Sequence, residues 1–421
     1  IGAFAKTPRF QGGGSSHINC FKTESFLDAV AGNAGVAYAE GYRLDTEEAD
    51  LALVREAVRA ARGAGIAVVF AGLPDALESE GYDRAHMRMP ANQVSLIEAV
   101  AEANPNTVVV LHNGSPVEMP WLPRVRAVIE AYLGGQAVGG AVADVLFGRA
   151  EPSGRLPETF PIKLEDNPSY LYFPGNKRRS EYREGVFVGY RYYDKKKMDV
   201  LFPFGHGLSY TRFAYSNLRL SGVEMFDTDT LEVEADVTNI GERAGKETVQ
   251  LYVRNCLGDE IRPIRELRGF EKVSLAPGET KTVRFTLGKR AFAYWDAIVH
   301  DWRVESGEYG IELARSSRDI LLDASVKVIS TAREGERFDL DSIVMDIMAD
   351  PRAKAVAEPY LKLVLEQFAP SQEESETARS AISLEMAYAM LKYMPLRAFL
   401  SFGGGIGRNE LLALIDAMNA Q

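Results

Sequence analysis

Seven consecutive residues carry the richest chemistry in the sequence: Glu78-Ser79-Glu80-Gly81-Tyr82-Asp83-Arg84. Three carboxylates, a phenol and a guanidinium share one short segment, and Gly81 permits a sharp bend within it. A carboxyl in such company suits general acid/base work, because like charges or burial raise its pKa toward neutrality. The same run also reads as a solvated acidic loop with Asp83 or Arg84 in a local ion pair. The residues alone leave both readings open.

Two further segments hold groups of interest. Gly12-Gly13-Gly14-Ser15-Ser16-His17 is a glycine-rich turn. It could cradle a phosphate if a helix began there, or let the backbone approach a ligand or another domain. His112-Asn113-Gly114-Ser115-Pro116 ends an apolar run, where His112 reads as a structural residue more readily than as a catalyst. There is no Walker-type phosphate loop, no His-Glu-x-x-His and no Cys-x-x-Cys, and the five histidines are scattered. Neither a metal nor a cofactor is expected.

Alternating strands and helices must position these groups. Ile1 to Lys6 reads as a strand, as do Val36 to Ala39, Ile66 to Phe70, Thr107 to Leu111 and Ala127 to Leu133. Helices are expected over Thr46 to Ala64, with Thr46 as the cap, over Ala91 to Ala103 and over Gln136 to Phe147. This rhythm predicts a doubly wound parallel-sheet α/β sandwich over 1–160. The loop after Ile66–Phe70 lies beyond the carboxyl end of its strand, the edge where open α/β sheets place ligands.

Residues 161–210 are rich in Gly, Pro and Tyr and read as an irregular connector packed on the sandwich. Over 211–330 the pattern changes to period two, as in Leu231 to Val237, Thr248 to Val253, Lys281 to Leu287, Tyr309 to Leu313 and Ile320 to Ile329. That predicts an all-β sandwich. The remainder, 331–421, is a helical carboxyl-terminal extension with apolar stripes at Ile343–Met348, Tyr360–Leu365 and Leu411–Ile415. Its methionines, Met345, Met348, Met386, Met390 and Met394, mark either a packed core or an adaptable binding face.

Composition narrows the classes. The chain has 421 residues, a net charge of −11 and no stripe of Lys and Arg, which argues against nucleic acid and anionic membrane as partners. No apolar run reaches the ~18 residues of a membrane span. Two cysteines, Cys20 and Cys256, do not make a disulfide framework, so a reducing compartment and a cytoplasmic location are expected. The chain opens at Ile1 inside an apolar run, from which further sequence upstream is expected.

At these motifs the sequence resembles the carboxyl-terminal half of glycoside hydrolase family 3, the β-glucosidase and β-xylosidase group. The resemblance rests on Gln11-Gly12-Gly13-Gly14-Ser15, Ser79-Glu80-Gly81-Tyr82-Asp83-Arg84, Asn113-Gly114-Ser115-Pro116, Gly134-Gly135-Gln136 and Asp144 to Gly148. Pro152 to Pro157 and Phe202 to Tyr210 extend it. Arg262-Pro263, Glu266 to Phe270 and Pro277 to Thr280 resemble the family's fibronectin type III-like domain. It spans about residues 1–330, and the helical tail is similar to extensions on some bacterial members.

The resemblance implies a retaining β-glycosidase, most readily a β-glucosidase acting on terminal non-reducing β-D-glucosyl residues. It implies Glu80 as general acid/base, with Glu78 as the fallback on the same loop, and Ser15 at a position that can contact the sugar. Such chemistry needs two carboxyls roughly 5–5.5 Å apart. The family's nucleophile is an Asp on a (β/α)₈ barrel, and no ~200-residue barrel pattern is present here. Its Ser-Asp-Trp motif is also missing; the one Asp-Trp pair, Asp301-Trp302, lies in the β region, with Trp302 expected in the core. The implied partners are therefore a β-glycoside or oligosaccharide and a complementary barrel on another chain or segment, with self-association compatible. The alternative is a non-catalytic binding or scaffolding module derived from the family. A weaker third reading is nucleotide binding at Gly12–Gly14.

Overall fold

The computed structural model describes residues 1–421 apart from 34, 177, 258–260, 298–299, 333–337, 369–388, 390, 402–405 and 421. They form two compact units, residues 1–331 and 332–421.

The first unit begins with a parallel sheet. Among the described residues it has three strands, β1 (Ala67–Gly72), β2 (Thr107–His112) and β3 (Ala127–Glu130), in the order β1-β2-β3. Neighbouring positions of β1 such as Val69 and Phe70 point to opposite faces and both are buried, as a sheet covered on two sides requires. Leu96, Ile97 and Val100 of the helix Ala91–Ala103 join the same core. Register sets the working edge: Gly72 pairs with His112, and Leu111 with Glu130. The strands end almost flush, so the loops that follow them emerge together. At Gly72 (φ +147°) a Cβ would strike the His112 backbone, so this close pairing requires glycine.

Several expectations are corrected. Ile1 to Lys6 is not a strand. The amino group of Ile1 donates to the Val68 carbonyl (2.9 Å) and its carbonyl accepts from Phe70 N–H (2.9 Å), but the chain then turns at Gly2 into a 3₁₀ turn, Ala3–Ala5. Val36 to Ala39 is irregular. The first long helix runs Leu51–Arg62 and is capped by Asp50, whose carboxylate accepts from Ala52 and Leu53 N–H; the Thr46 hydroxyl serves a turn at Glu48 instead. β3 stops at Glu130 because Tyr132 takes a left-handed conformation (φ +49°). The small-residue helix is Val138–Leu146.

The stretch 150–210 holds a 3₁₀ turn, Leu164–Asp166, and a short helix, Tyr190–Lys195, and it binds two partners. Phe160 lies in the core of the sheet. Arg155 forms an ion pair with Glu247 (2.9 Å), both side chains being buried, and Tyr190 stacks on Phe204 while its hydroxyl accepts from Leu267 N–H (2.8 Å).

The β-sandwich follows. Its strands are β4 (Phe213–Leu220), β5 (Glu224–Phe226), β6 (Leu231–Asn239), β7 (Gly245–Asn255), β8 (Arg265–Leu275), β9 (Thr280–Leu287), β10 (Tyr294–Asp296), β11 (Asp301–Arg303), β12 (Gly307–Ser316) and β13 (Asp319–Ile329). Among the described residues one sheet runs β5-β13-β12-β7-β8 and the other β4-β6-β9, with β10-β11 as a separate hairpin. Alternation does the sorting: Leu231, Val233, Ala235 and Val237 of β6 are buried between more exposed neighbours. Trp302 is partly buried against this core, with the Arg290 guanidinium carbon 3.2 Å from its ring centroid.

The second unit has its own apolar core. Val344 and Ile347, Ala353 and Ala357, and Leu411 and Ile415 come from helices Val344–Ala349, Pro351–Phe368 and Arg408–Asn419. Met348 and Met394 pack against it, which favours the packed-core reading for these two; Met386 and Met390 lie outside the described residues.

Candidate active site

Four loops meet at the carboxyl edge of the parallel sheet. The Gly12–Gly14 turn pairs with the acidic loop through a bridge between Gly13 and Ser79, and Glu80 N–H donates to the Gly13 carbonyl (3.3 Å). Gly14 (φ +100°) lies against Glu80, whose Cβ leaves no room for another side chain there.

The two glutamates of the acidic loop differ sharply. Glu78 is gripped: it accepts from the Arg9 guanidinium (2.5 Å), from Gly114 N–H (2.7 Å) and from the Ser115 hydroxyl, while Arg9 also donates to its carbonyl (2.8 Å). Burial alone would push this carboxyl up, but the Ser115, Arg9 and Gly114 bonds outweigh it and hold Glu78 below the usual range. Arg9 also pairs with Asp75 (2.9 Å), and Arg84 donates to Ser115 Oγ (2.7 Å) and the Pro116 carbonyl (3.0 Å). Asp75 takes a further bond at its carbonyl from the Tyr82 hydroxyl.

Glu80 is exposed. Its Oε2 accepts from Ser15 N–H (2.5 Å), and Ser15, through its hydroxyl first and its N–H second, holds the carboxyl below the usual range. A raised pKa is therefore not found at Glu80. No crowding carboxylate acts on it, and two donors of one residue favour its charged form. Glu80 also takes the N–H that a phosphate on the glycine loop would need. A second anion there would meet a carboxylate, which speaks against the nucleotide reading.

His112 is buried between the rings of Phe4 and Phe70, with centroids 5.9 and 6.1 Å away, and burial lowers it to about 4. It is a neutral structural residue. Among the described residues no three His, Cys, Asp or Glu side chains could together hold a metal ion, and no helix is long and apolar enough to cross a membrane. Cys20 and Cys256 are both free thiols.

The structure adds groups that the sequence reading passed over. Glu130 ends β3. Its Oε1 accepts from Tyr132 N–H (3.0 Å) and its Oε2 from the Asn113 amide (3.2 Å). Glu158 accepts from the Tyr132 hydroxyl (3.3 Å). Burial first, then Glu158 and Glu78, push Glu130 up to about 8; burial and Glu78 also raise Glu158. A Glu directly after the apolar run Ala127-Val128-Ile129 at a strand end was the available signal for Glu130. Nothing in the sequence marks Tyr132 or Glu158.

Comparison with known proteins gives this geometry its family. Residues 1–210 match the glycosyl hydrolase family 3 C-terminal domain and residues 247–317 a fibronectin type III-like domain. The chain thus belongs to glycoside hydrolase family 3 and aligns with the carboxyl-terminal portion of its relatives. It is 52% identical over 424 residues to thermostable beta-glucosidase B of Acetivibrio thermocellus, covering 100% of this chain and 55% of that protein. It is 48% identical over 340 residues to an exo-alpha-(1->6)-L-arabinopyranosidase of Bifidobacterium breve, covering 80% of this chain and 44% of the relative. The crystal structure of the Bifidobacterium adolescentis family 3 beta-glucosidase superposes with a TM-score of 0.78 at 44% identity, over 85% of this chain and 52% of the other. The chain spans about half the length of these relatives.

Proposed function

We propose that this chain is the carboxyl-terminal portion of a retaining β-glycosidase, foremost a β-glucosidase removing terminal non-reducing β-D-glucosyl residues. Glu80 is its general acid/base, and a (β/α)₈ barrel on another chain or segment supplies the nucleophile. The observation that carries this reading is the contrast within one loop. Glu78 is fully engaged as an anchor, whereas Glu80, two residues on, is exposed at the ligand edge. Ser15 donates to Glu80 and is the proposed sugar contact of this loop. Free Cys20 and Cys256 fit a reducing, cytoplasmic setting.

Ionised Glu80 is the form that accepts a proton from water in the second step of a retaining mechanism. For the first step it must hold a proton. A nucleophilic carboxylate brought within roughly 5–5.5 Å would raise its pKa by like-charge repulsion, as would the exclusion of water when the second domain closes over the loop. The acid function thus belongs to the assembled site.

The test is hydrolysis of 4-nitrophenyl β-D-glucoside, with the α-L-arabinopyranoside beside it because of the arabinopyranosidase relative. The purified chain is assayed alone and after co-expression with the amino-terminal portion that its relatives possess. Turnover is expected from the pair and not from the chain alone. Turnover by the chain alone would overturn the division of labour. A stable, inactive pair would favour the binding or scaffolding module.

A further inference from the structure

The acidic group behind the Glu78–Glu80 loop has no part in the reaction as proposed, yet it is wired to that loop. Asn113 is buried, and its amide donates both to Glu130 Oε2 (3.2 Å) and to the Ser115 carbonyl (3.0 Å). The turn thus fixed, Gly114-Ser115, supplies the N–H and O–H that grip Glu78. On the other side of Glu130, Tyr132 is held in a left-handed conformation (φ +49°), with its N–H on Glu130 and its hydroxyl on Glu158. A strained non-glycine residue persists where its surroundings over-determine it. Leu133, next in the chain, packs against Gly114 and lies near Gly12. One carboxyl thus ties the end of β3 to the turn that anchors the acidic loop.

We propose that Glu130 is a positioning residue: acting through Asn113, it holds the Gly114–Ser115 turn and so fixes the loop that carries Glu80. This rests on the reading of Glu80 given above, and deepens it. Burial first, then the facing carboxylates Glu158 and Glu78, favour the neutral form of Glu130, while the bonds from Tyr132 and Asn113 favour the charged one. Glu158 and Glu78 face Glu130, Tyr132 and Asn113 bond to it, Arg9 is engaged by Glu78 and Asp75, and Arg84 donates through Nη1 to Ser115 and Pro116, its Nη2 being buried without a partner. A charge on Glu130 would stand beside Glu158 and Glu78, and that repulsion is what would open the clamp, against the N–H bonds from Asn113 and Tyr132, which favour the charged form. Both Glu130 oxygens accept N–H bonds, so Glu130→Gln, with one acceptor oxygen, keeps one of the two bonds and has no proton to lose.

The experiment is amide hydrogen exchange on this chain, corrected for intrinsic rates, followed in peptides covering 78–84 and 113–116 with β1 and β2 as internal reference. In wild type, protection of the two loops should fall as pH rises through about 8, while the strands keep theirs. Glu130→Gln should abolish that step, and Glu158→Gln should retain it. At neutral pH, Glu130→Ala should lower loop protection roughly tenfold or more, local opening being independent of the global one. Unchanged loop protection in Glu130→Ala, or an unchanged pH step in Glu130→Gln, would overturn the proposal. If Glu130→Ala does not fold, the wild-type and Glu130→Gln pH series decides alone. The readout needs no hydrolysis. Loops that respond as stated, in a protein whose assembled form cleaves no glycoside, would leave this inference standing and remove the functional reading.

Discussion

The β-sandwich and the carboxyl edge of the parallel sheet use the same charged side chains in opposite ways. In the sandwich, Glu247 meets Arg155 at 2.9 Å and accepts from the Tyr215 hydroxyl at 2.9 Å, while Glu312 is shared by Arg254 and Arg265, each at 2.6 Å. These carboxylates are buried and paired. At the sheet edge the pairing is incomplete. Glu78 has its guanidinium, Glu80 has only dipoles of Ser15, and Glu130 and Glu158 hold acid groups beside one another. Paired charges stabilise a fold only when every partner is present. Unpaired ones keep the freedom to titrate, which is what acid/base chemistry requires. The comparison separates groups that hold the molecule together from groups that can act on something else.

That separation can be broken at either end. The largest effect is expected at the sheet edge. In the assembled enzyme, Glu80→Ala should lower kcat by about 10²–10⁴-fold, the usual worth of a positioned acid/base group. Thermal unfolding of the chain should barely change, since Glu80 is exposed. A large loss of stability in that variant would place Glu80 with the structural charges.

Next comes the sandwich. Arg155→Ala leaves Glu247 buried without its cation and should cost about 3–5 kcal/mol, read as a lower denaturant midpoint. An unchanged midpoint would show that the link between connector and sandwich is dispensable.

A smaller, pH-dependent effect is expected at Glu130. Its folded value, about 8, lies above that of an unfolded Glu, near ~4.3. The folded chain therefore keeps a proton that the unfolded chain releases. The stability this gives is full below ~4 and is lost as pH rises toward ~8. Glu130→Gln has no proton to lose, so whatever its stability near pH 4, the difference from wild type should move in the variant's favour by on the order of a few kcal/mol between pH 4 and pH 8. Urea unfolding at the two pH values measures the difference, and one that does not move this way with pH would contradict the assignment.

Much of the frame was legible in the sequence because periodicity reports burial. Ala91 to Ala103 was read to the residue, and the period-two runs of the sandwich each fall inside an observed strand. Local rules failed where tertiary contacts decided. Ile1 to Lys6 is apolar enough for a strand, but after Ile1 the chain leaves the sheet and buries Phe4 beneath it. Ala131 to Leu133 is apolar too, but β3 ends before it and Tyr132 there leaves the extended conformation (φ +49°). The acidic loop was visible because its residues are consecutive, yet which glutamate is gripped and which stays exposed depends on Arg9, Gly114 and Ser115, 69, 36 and 37 residues away from Glu78. Glu130 and Glu158 were missed for the same reason, being brought together through Tyr132 and not by sequence.

The central claim is that Glu80 delivers the proton. The most direct test is the leaving-group dependence of kcat/KM in the assembled enzyme for wild type, Glu80→Gln and Glu78→Gln. Activated aryl β-glucosides are compared with alkyl β-glucosides. If Glu80 is the acid, its variant should lose far more with alkyl leaving groups, which need a proton, than with activated aryl ones, while Glu78→Gln loses a similar factor on both. Equal losses across leaving groups in Glu80→Gln, or the selective pattern in Glu78→Gln, would contradict the assignment.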